Sequence, residues 1–176
     1  MSTFVPVERL HHWAHRCRDA EETRHFYEDV LGLPLAHIIR ADEVPSTGEH
    51  CPYVHLFFEL GDGSWIAFFD LGDDTAAEPS PNTPRWVNHL ALQVASEGDL
   101  LKIKDQLVRA GVDVIGPIDH GFVKSIYFFD PNGVRMEFSA TVCSPEDIDT
   151  FRNEARPALD AWTREKLQRK QQRRGA

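Results

Sequence analysis

Residues 118–137, I-D-H-G-F-V-K-S-I-Y-F-F-D-P-N-G-V-R-M-E, predict a β-hairpin. The segment Pro131-Asn132-Gly133 supplies the turn, because proline presets φ and glycine takes the left-handed position of a three-residue loop. Such a loop places Tyr127 opposite Glu137, so the phenol and the acid share one face of the strand pair. The opposite face is apolar and is predicted to be core: Ile126, Phe128, Val134, Met136 and Phe138.

The hairpin closes the second of two similar halves. Residues 12–17 resemble residues 89–94, and each segment is a strand candidate that leads into a helix capped by Asp19 or Ser96. Three strand candidates follow each helix. They are residues 35–40, 53–60 and 64–71 in the first half, and residues 112–117, 124–130 and 134–140 in the second. The repeated unit is therefore β-α-β-β-β.

The repeat predicts an α+β fold in which two paired βαβββ modules form a curved mixed sheet around a metal cavity. One domain, residues 1–143, comprises module one (8–74), a Pro-rich linker (75–84) and module two (85–143). Residues 144–176 are predicted to be a basic helical tail. Ser144 should cap this helix, and Pro157 should break or kink it.

Composition limits the class of partner. The formal net charge of −9 argues against nucleic acid as the main partner. Three cysteines without C-x-x-C spacing favour reduced thiols in a cytoplasm. No apolar run approaches the length of a membrane span. We expect a cytoplasmic homo-oligomer that binds a small molecule and has no membrane partner.

Strand parity predicts a metal site. The more apolar parity of each first strand should face its helix, which directs His12 and His89 into the shared cavity at equivalent places. Glu137 points there from the last strand of module two. Two imidazoles and one carboxylate form a facial triad that leaves positions on Fe(II) for substrate and O₂. The same ligands suit Mn²⁺, Zn²⁺ and Ni²⁺, so the triad alone does not name the metal.

With these modules and ligands, residues 8–142 resemble the vicinal oxygen chelate (glyoxalase/bleomycin resistance/dioxygenase) superfamily. Within it, residues 118–137 resemble the signature of one-domain type I extradiol ring-cleavage dioxygenases: a His, a Tyr, a D-P-x-G turn and a ligand Glu. The resemblance implies that His12, His89 and Glu137 bind iron. It implies that Tyr127 bonds a substrate oxygen and that His120 lines the pocket beside that oxygen.

One position departs from this pattern. Extradiol enzymes have an acid–base His in module one at the place equivalent to Glu137, and glyoxalase-type isomerases have a metal-binding Glu there. Alignment of the two hairpins puts Ala67 at that place. The loop of residues 61–63 pairs Phe57 with Ala67, which leaves His55 one diagonal step away as a candidate acid–base residue. The sequence supports equally well the alternative that His55 is a half-exposed strand histidine without a catalytic role.

The resemblance implies an Fe(II)-dependent dioxygenase that cleaves a small catechol-like aromatic substrate with O₂. An isomerase, an epimerase or a thiol transferase that acts on a small oxygen chelate through another metal is the first alternative. A non-catalytic protein that binds a small molecule, without metal, is the second.

Overall fold

The computed structural model describes residues 7–174, and these contain the predicted β-α-β-β-β unit twice. Residues 1–6 and 175–176, the ends of the predicted domain and tail, lie outside the described residues. Module one consists of β1 (His12–Arg16), α1 (Ala20–Arg24), β2 (Leu35–Glu43), β3 (His50–Glu59) and β4 (Trp65–Asp70). Module two consists of β5 (Leu90–Val94), α2 (Glu97–Arg109), β6 (Ile115–Asp119), β7 (Val123–Phe129) and β8 (Arg135–Thr141).

Each module forms a four-stranded mixed sheet. The strand order is β1-β4-β3-β2 in module one and β5-β8-β7-β6 in module two. In each sheet the first strand runs parallel to the last, and the other neighbours are antiparallel. The registers correspond, because Ala14 pairs with Ala67 and Ala91 pairs with Glu137. Ala67 is therefore the structural counterpart of Glu137, as the hairpin alignment predicted.

The β7–β8 hairpin has the predicted three-residue loop. The amide of Asp130 donates to the carbonyl of Val134 over 3.0 Å, and Gly133 adopts a φ of 80°. Tyr127 lies opposite Glu137. The apolar face of this strand pair is buried, as predicted for Ile126, Phe128, Val134, Met136 and Phe138.

Side chains cap both module helices as predicted. Asp19 accepts a hydrogen bond from the Glu22 amide over 2.7 Å, and Ser96 accepts one from the Asp99 amide over 3.1 Å. After α1 the chain widens into a π-helical segment, His25–Val30, which the sequence pattern did not predict. This segment carries two buried aromatic residues, Phe26 and Tyr27.

A single apolar core joins the two modules, and buried polar contacts fix how they meet. The Tyr27 hydroxyl donates to Oδ2 of Asp130 over 3.0 Å. Asn132 donates to the Thr23 hydroxyl over 3.1 Å and accepts from the Arg18 amide over 2.9 Å. The turn of the module-two hairpin is therefore docked on the helical segment of module one.

The tail is one helix, α3 (Pro145–Arg174), and Ser144 accepts a hydrogen bond from the Asp147 amide over 3.2 Å at its start. Of the two outcomes predicted at Pro157, the break is wrong, because the helix continues through that residue. A proline removes one helical hydrogen bond, but residues 153–157 are exposed, so water can hydrate the carbonyl that is freed. No helix within residues 7–174 is long and apolar enough to cross a membrane.

Candidate metal centre

A row of hydrogen bonds crosses the face of the module-two sheet that does not pack against the core. Nε2 of His120 lies 2.8 Å from the Tyr127 hydroxyl, which donates to Oε1 of Glu137 over 3.1 Å. Nε2 of His89 lies 3.0 Å from Oε2 of the same carboxylate. The row exists because the hairpin register places Tyr127 and Glu137 side by side. Four of the six predicted site residues are thus in contact.

Glu137 is buried, and its environment favours the charged form. Burial by itself would raise the pKa of this carboxyl, but hydrogen bonds from the hydroxyls of Ser125, Ser139 and Tyr127 lower it below its usual value. The Ser139 hydroxyl donates to Oε1 over 2.9 Å. A carboxylate that stays ionised at a protected position suits a divalent cation, because metal ligands must be deprotonated.

His89 presents its Nε2 atom toward Glu137. Nδ1 of the ring lies 2.9 Å from the carbonyl oxygen of Val87, and only a protonated Nδ1 can donate to that oxygen. When the ring binds a cation, Nε2 is therefore the nitrogen that supplies the lone pair. Nε2 and Oε2 of Glu137 lie 3.0 Å apart, close enough for both atoms to bind one ion. The pair therefore fits a divalent cation.

Tyr127 is held as a neutral phenol. Burial raises the pKa of its hydroxyl, and the neighbouring Glu137 carboxylate raises it further. At neutral pH the hydroxyl therefore donates a hydrogen bond. The imidazole of His120, on the other side, lies within hydrogen-bond distance of the same oxygen. This arrangement can stabilise an anionic oxygen that takes the place of one of these partners.

His12 lies on the module-one sheet and outside this row. Its Nδ1 is 2.8 Å from Nδ1 of His11, and its ring centroid is 6.1 Å from the centroid of His55. Within residues 7–174, no three His, Cys, Asp or Glu side chains are grouped closely enough to hold a metal ion. Two of the three predicted ligands, His89 and Glu137, are therefore adjacent, and His12 as the third ligand stays a prediction.

His55 is a buried imidazole with an unused nitrogen. Its ring stacks on Phe69 with the centroids 3.6 Å apart, and its Nε2 has no hydrogen-bond partner among the described residues. Burial, together with the neighbouring His12 and His37, lowers the pKa of His55 to about 4. The ring is therefore neutral at pH 7. The free nitrogen can accept a proton, but a pKa of about 4 makes the ring a weak base, so the acid–base role stays a prediction.

Module one has no polar pair equivalent to Tyr127 and Glu137. Phe57 pairs with Ala67, as predicted from the loop of residues 61–63, and Ala67 is fully buried. The counterpart of the phenol–carboxylate pair is therefore entirely apolar. Ala67 therefore supplies no metal ligand at the place equivalent to Glu137.

The sequence reading missed three residues of this face. Arg135 places its guanidinium carbon 4.2 Å from the centre of the Tyr127 ring. The Ser125 and Ser139 hydroxyls lie 2.9 Å apart and complete the environment of Glu137. Their signal was present in the sequence. Arg135 and Ser139 stand two positions before and after Glu137, and Ser125 stands two positions before Tyr127, so all three share the face of this pair.

Residues 9–138 match the Glyoxalase/Bleomycin resistance protein/Dioxygenase superfamily. This match covers most of the chain, and the chain therefore belongs to that superfamily. The two βαβββ modules, each with a mixed four-stranded sheet, agree with this membership.

Two characterised enzymes share sequence with the chain. The chain is 30% identical to biphenyl-2,3-diol 1,2-dioxygenase 2 of Rhodococcus globerulus over 108 residues, and this alignment covers 56% of each chain. The chain is 26% identical to a lactoylglutathione lyase of Neisseria meningitidis over 144 residues. This alignment covers 74% of this chain and 88% of that enzyme. The chain thus matches little more than half the length of the dioxygenase. The two relatives catalyse different reactions, so membership leaves the reaction itself to be proposed.

Solved structures show the same fold. A glyoxalase/dioxygenase from Nostoc punctiforme superimposes with a TM-score of 0.58 at 23% identity, over 81% of this chain and 99% of that one. A glyoxylase/bleomycin resistance protein/dioxygenase domain from Frankia sp. EAN1pec gives a TM-score of 0.62 at 18% identity, over 78% and 100% of the two chains. At these identities the likeness concerns the fold alone.

Proposed function

We propose that the protein is an Fe(II)-dependent dioxygenase of the extradiol type, which cleaves a catechol-like aromatic ring with O₂. The observation that carries this proposal is the hydrogen-bonded row of His120, Tyr127, Glu137 and His89. It contains the residues of the extradiol-like hairpin in contact with a metal-competent histidine. The similarity to biphenyl-2,3-diol 1,2-dioxygenase 2 supports the same reaction class.

His89 and Glu137 would hold the ion, with His12 as the proposed third ligand. When bound, Fe(II) lowers the pKa of the substrate hydroxyls and keeps substrate and O₂ in proximity. The superfamily contains metal-dependent enzymes, but Mn²⁺, Zn²⁺ and Ni²⁺ accept the same ligand types. Iron is therefore part of the proposal and needs direct measurement.

The remaining residues would orient the substrate and move its protons. The Tyr127 hydroxyl, which now donates to Glu137, would donate to an anionic substrate oxygen instead. His120 would hold that hydroxyl in position and line the pocket beside the oxygen. The unused Nε2 of His55 would accept the proton that leaves the second substrate hydroxyl.

A homo-oligomer is also proposed. Three large apolar side chains of the module-two site face are exposed: Ile115 by 61%, Ile118 by 41% and Phe129 by 38%. An exposed apolar surface of this kind favours contact with a second protein surface, here that of another copy of the chain. Light scattering on the purified chain measures its mass in solution, and a monomer at micromolar concentration would refute this part of the proposal.

Oxygen uptake tests the proposed reaction. The protein is purified without oxygen, loaded with Fe(II), and mixed with O₂ and a panel of substituted catechols. We expect uptake together with a coloured ring-fission product. The Tyr127→Phe variant should keep its iron and lose rate by about 100-fold, in the range of a positioned proton donor. Absence of uptake and of coloured product across the whole panel would refute the proposal.

A metal-dependent isomerase or lyase is the second candidate, because the match to the lactoylglutathione lyase covers more of the chain than the match to the dioxygenase. Ala67 disfavours this candidate, because glyoxalase-type enzymes, which resemble this fold, have a metal-binding Glu at the equivalent place. Metal analysis separates the candidates. Tight Zn²⁺ or Ni²⁺ without O₂ chemistry would favour the isomerase. Ligand binding that persists without metal and after His89→Ala would favour a binding protein.

A further inference from the structure

A cavity of about 500 Å³ lies beside the candidate centre, between β1, the β7–β8 turn and the linker that joins the modules. His89, which contacts Glu137, and Arg135, which stacks on Tyr127, lie on its wall, so the cavity adjoins one end of the row of hydrogen bonds on module two. The far wall is aromatic, because Trp13 and His15 stack with their ring centroids 5.2 Å apart. The space is large enough for one substituted aromatic ring.

Two guanidinium groups face this cavity, and each is placed over an aromatic ring. Arg135 lies 4.2 Å from the centre of Tyr127, and Arg85 lies 4.6 Å from the centre of Phe129. One nitrogen of Arg135 also donates to the carbonyl oxygen of Trp86 over 2.7 Å. Stacking and this hydrogen bond hold the planar groups in defined positions, which lowers the entropy lost when they bind a ligand.

Neither guanidinium forms a salt bridge with another side chain of residues 7–174. A guanidinium has five N–H donors, and the contact with Trp86 occupies one donor of Arg135. Among the described residues that line the cavity, Glu78 is the one acid. The cavity therefore presents two cations against one anion, in a chain whose formal net charge is −9. Such a local excess of positive charge favours an anionic ligand.

We propose that this cavity binds the carboxylate of an aromatic substrate, and that Arg85 and Arg135 determine specificity for acidic catechols over neutral ones. This inference rests on the proposed function, because it places the reacting ring at His89 and Glu137 and its acidic substituent under the linker. The planar fork of each guanidinium matches the two oxygens of a carboxylate. Phe129 and Trp13 supply apolar surface for the rest of the substituent.

Calorimetry without oxygen tests the proposal, because binding can then be measured without turnover. The probes are 2,3- and 3,4-dihydroxybenzoate, each compared with its methyl ester, which keeps both hydroxyls and lacks the charge. We expect at least one acid to bind about 10–100-fold tighter than its ester, as expected for charge-assisted hydrogen bonds. Arg135→Gln and Arg85→Gln should each reduce that ratio by about tenfold. Arg109→Gln, at the exposed end of α2, is the matched control and should leave the ratio unchanged.

A second pair of probes separates this inference from the proposed reaction. Benzoate and benzamide lack the hydroxyls that chelate a metal, and they are titrated against the EDTA-treated protein. A preference for benzoate that both arginine variants lose would support the cavity even if no oxygen uptake is found. Equal affinities for acids and esters, or a preference that survives both substitutions, would overturn the inference even if the protein cleaves neutral catechols.

Discussion

The two modules have the same strand order and register, yet they differ at the positions that face the site. Tyr127 and Glu137 form a hydrogen-bonded pair in module two, whereas Phe57 and Ala67 occupy the equivalent places in module one. The backbone pairing of the last two strands is the same in both modules. The difference therefore shows that the repeated scaffold supplies positions, and that the side chains at a few of them decide which module carries the chemistry.

A second pair of equivalent positions differs in how its polar atoms are satisfied. Ser125 and Ser139 bond each other and surround Glu137 in module two. In module one the cross-strand pair is His55 and Phe69, and Nε2 of His55 has no partner among the described residues. A buried polar atom without a partner lowers stability, so its presence favours a functional role. At this pair of positions, module two thus has two hydroxyls that bond Glu137 and each other, whereas module one has an imidazole with a free nitrogen.

Replacement of Glu137 by Gln should have the largest effect. The amide keeps the shape of the side chain but cannot supply the charge that holds a divalent cation, so bound metal should be lost. Oxygen uptake should fall by more than the roughly 10–100-fold loss seen when groups that merely support a ligand are changed. Metal content by mass spectrometry and oxygen uptake measure the effect. Glu59→Gln, at an exposed position of β3, is the matched control and should retain both. Retention of metal by Glu137→Gln would contradict the proposed centre.

Alanine substitution of each histidine tests whether both modules supply ligands. His89→Ala removes the nitrogen that lies 3.0 Å from Glu137, and metal affinity should fall by more than roughly 100-fold, the upper end of the loss for groups that only support a ligand. His12→Ala should cause a comparable loss if module one completes the centre. His50→Ala, an exposed histidine of β3, should bind metal normally. A His12→Ala variant with normal metal affinity would assign the centre to module two alone.

Local features of this fold followed from the sequence. The turn chemistry of residues 131–133 fixed the hairpin register, and the register alone placed Tyr127 beside Glu137. The same reasoning identified Ala67 as the counterpart of Glu137 and predicted the caps at Asp19 and Ser96. These features depend on neighbours in the chain or on one strand pair, where period and turn type are sufficient.

Features that depend on how distant segments meet did not follow from the sequence. The docking of Asp130 on Tyr27 joins residues of different modules, and no periodicity encodes it. The cavity under the linker and the position of Arg85 over Phe129 depend on that docking. The separation of His12 from His89 and Glu137 has the same origin, since parity predicts the face on which a side chain lies but not the distance between two sheets.

His55 of module one should make the stability of the protein depend on pH. The pKa of this imidazole is about 4 in the folded chain against 6.5 for an unperturbed histidine. The unfolded chain therefore binds more protons between these values, and the free energy of unfolding should fall as the pH drops from about 6.5 to about 4, by up to about 3 kcal/mol. His55→Phe should remove this part of the slope and be no less stable than the wild type at pH 7, because it also removes an unpaired polar atom.

Urea unfolding of the EDTA-treated protein at several pH values measures this slope. The matched substitution His50→Phe, at an exposed position, should leave the slope as it is in the wild type. An unchanged slope in His55→Phe would show that another group accounts for the acid sensitivity, for which His15 is the next candidate, since burial also lowers the pKa of its ring.

Substitutions in the two hairpin turns should have the smallest effects, and these effects should be on stability alone. Asp130 accepts hydrogen bonds from the amides of Asn132 and Val134 and from the Tyr27 hydroxyl, and it is buried. Asp130→Ala leaves these donors unpaired and should lower the free energy of unfolding by about 2 kcal/mol. Asp62 in the module-one turn is exposed, and its carboxylate accepts from the amide and hydroxyl of one residue, Ser64, so Asp62→Ala should cost less, about 1 kcal/mol. Equal losses in urea unfolding would mean that the contact between hairpin and helix does not hold the modules together, and the cavity beneath the linker would then lack its structural basis.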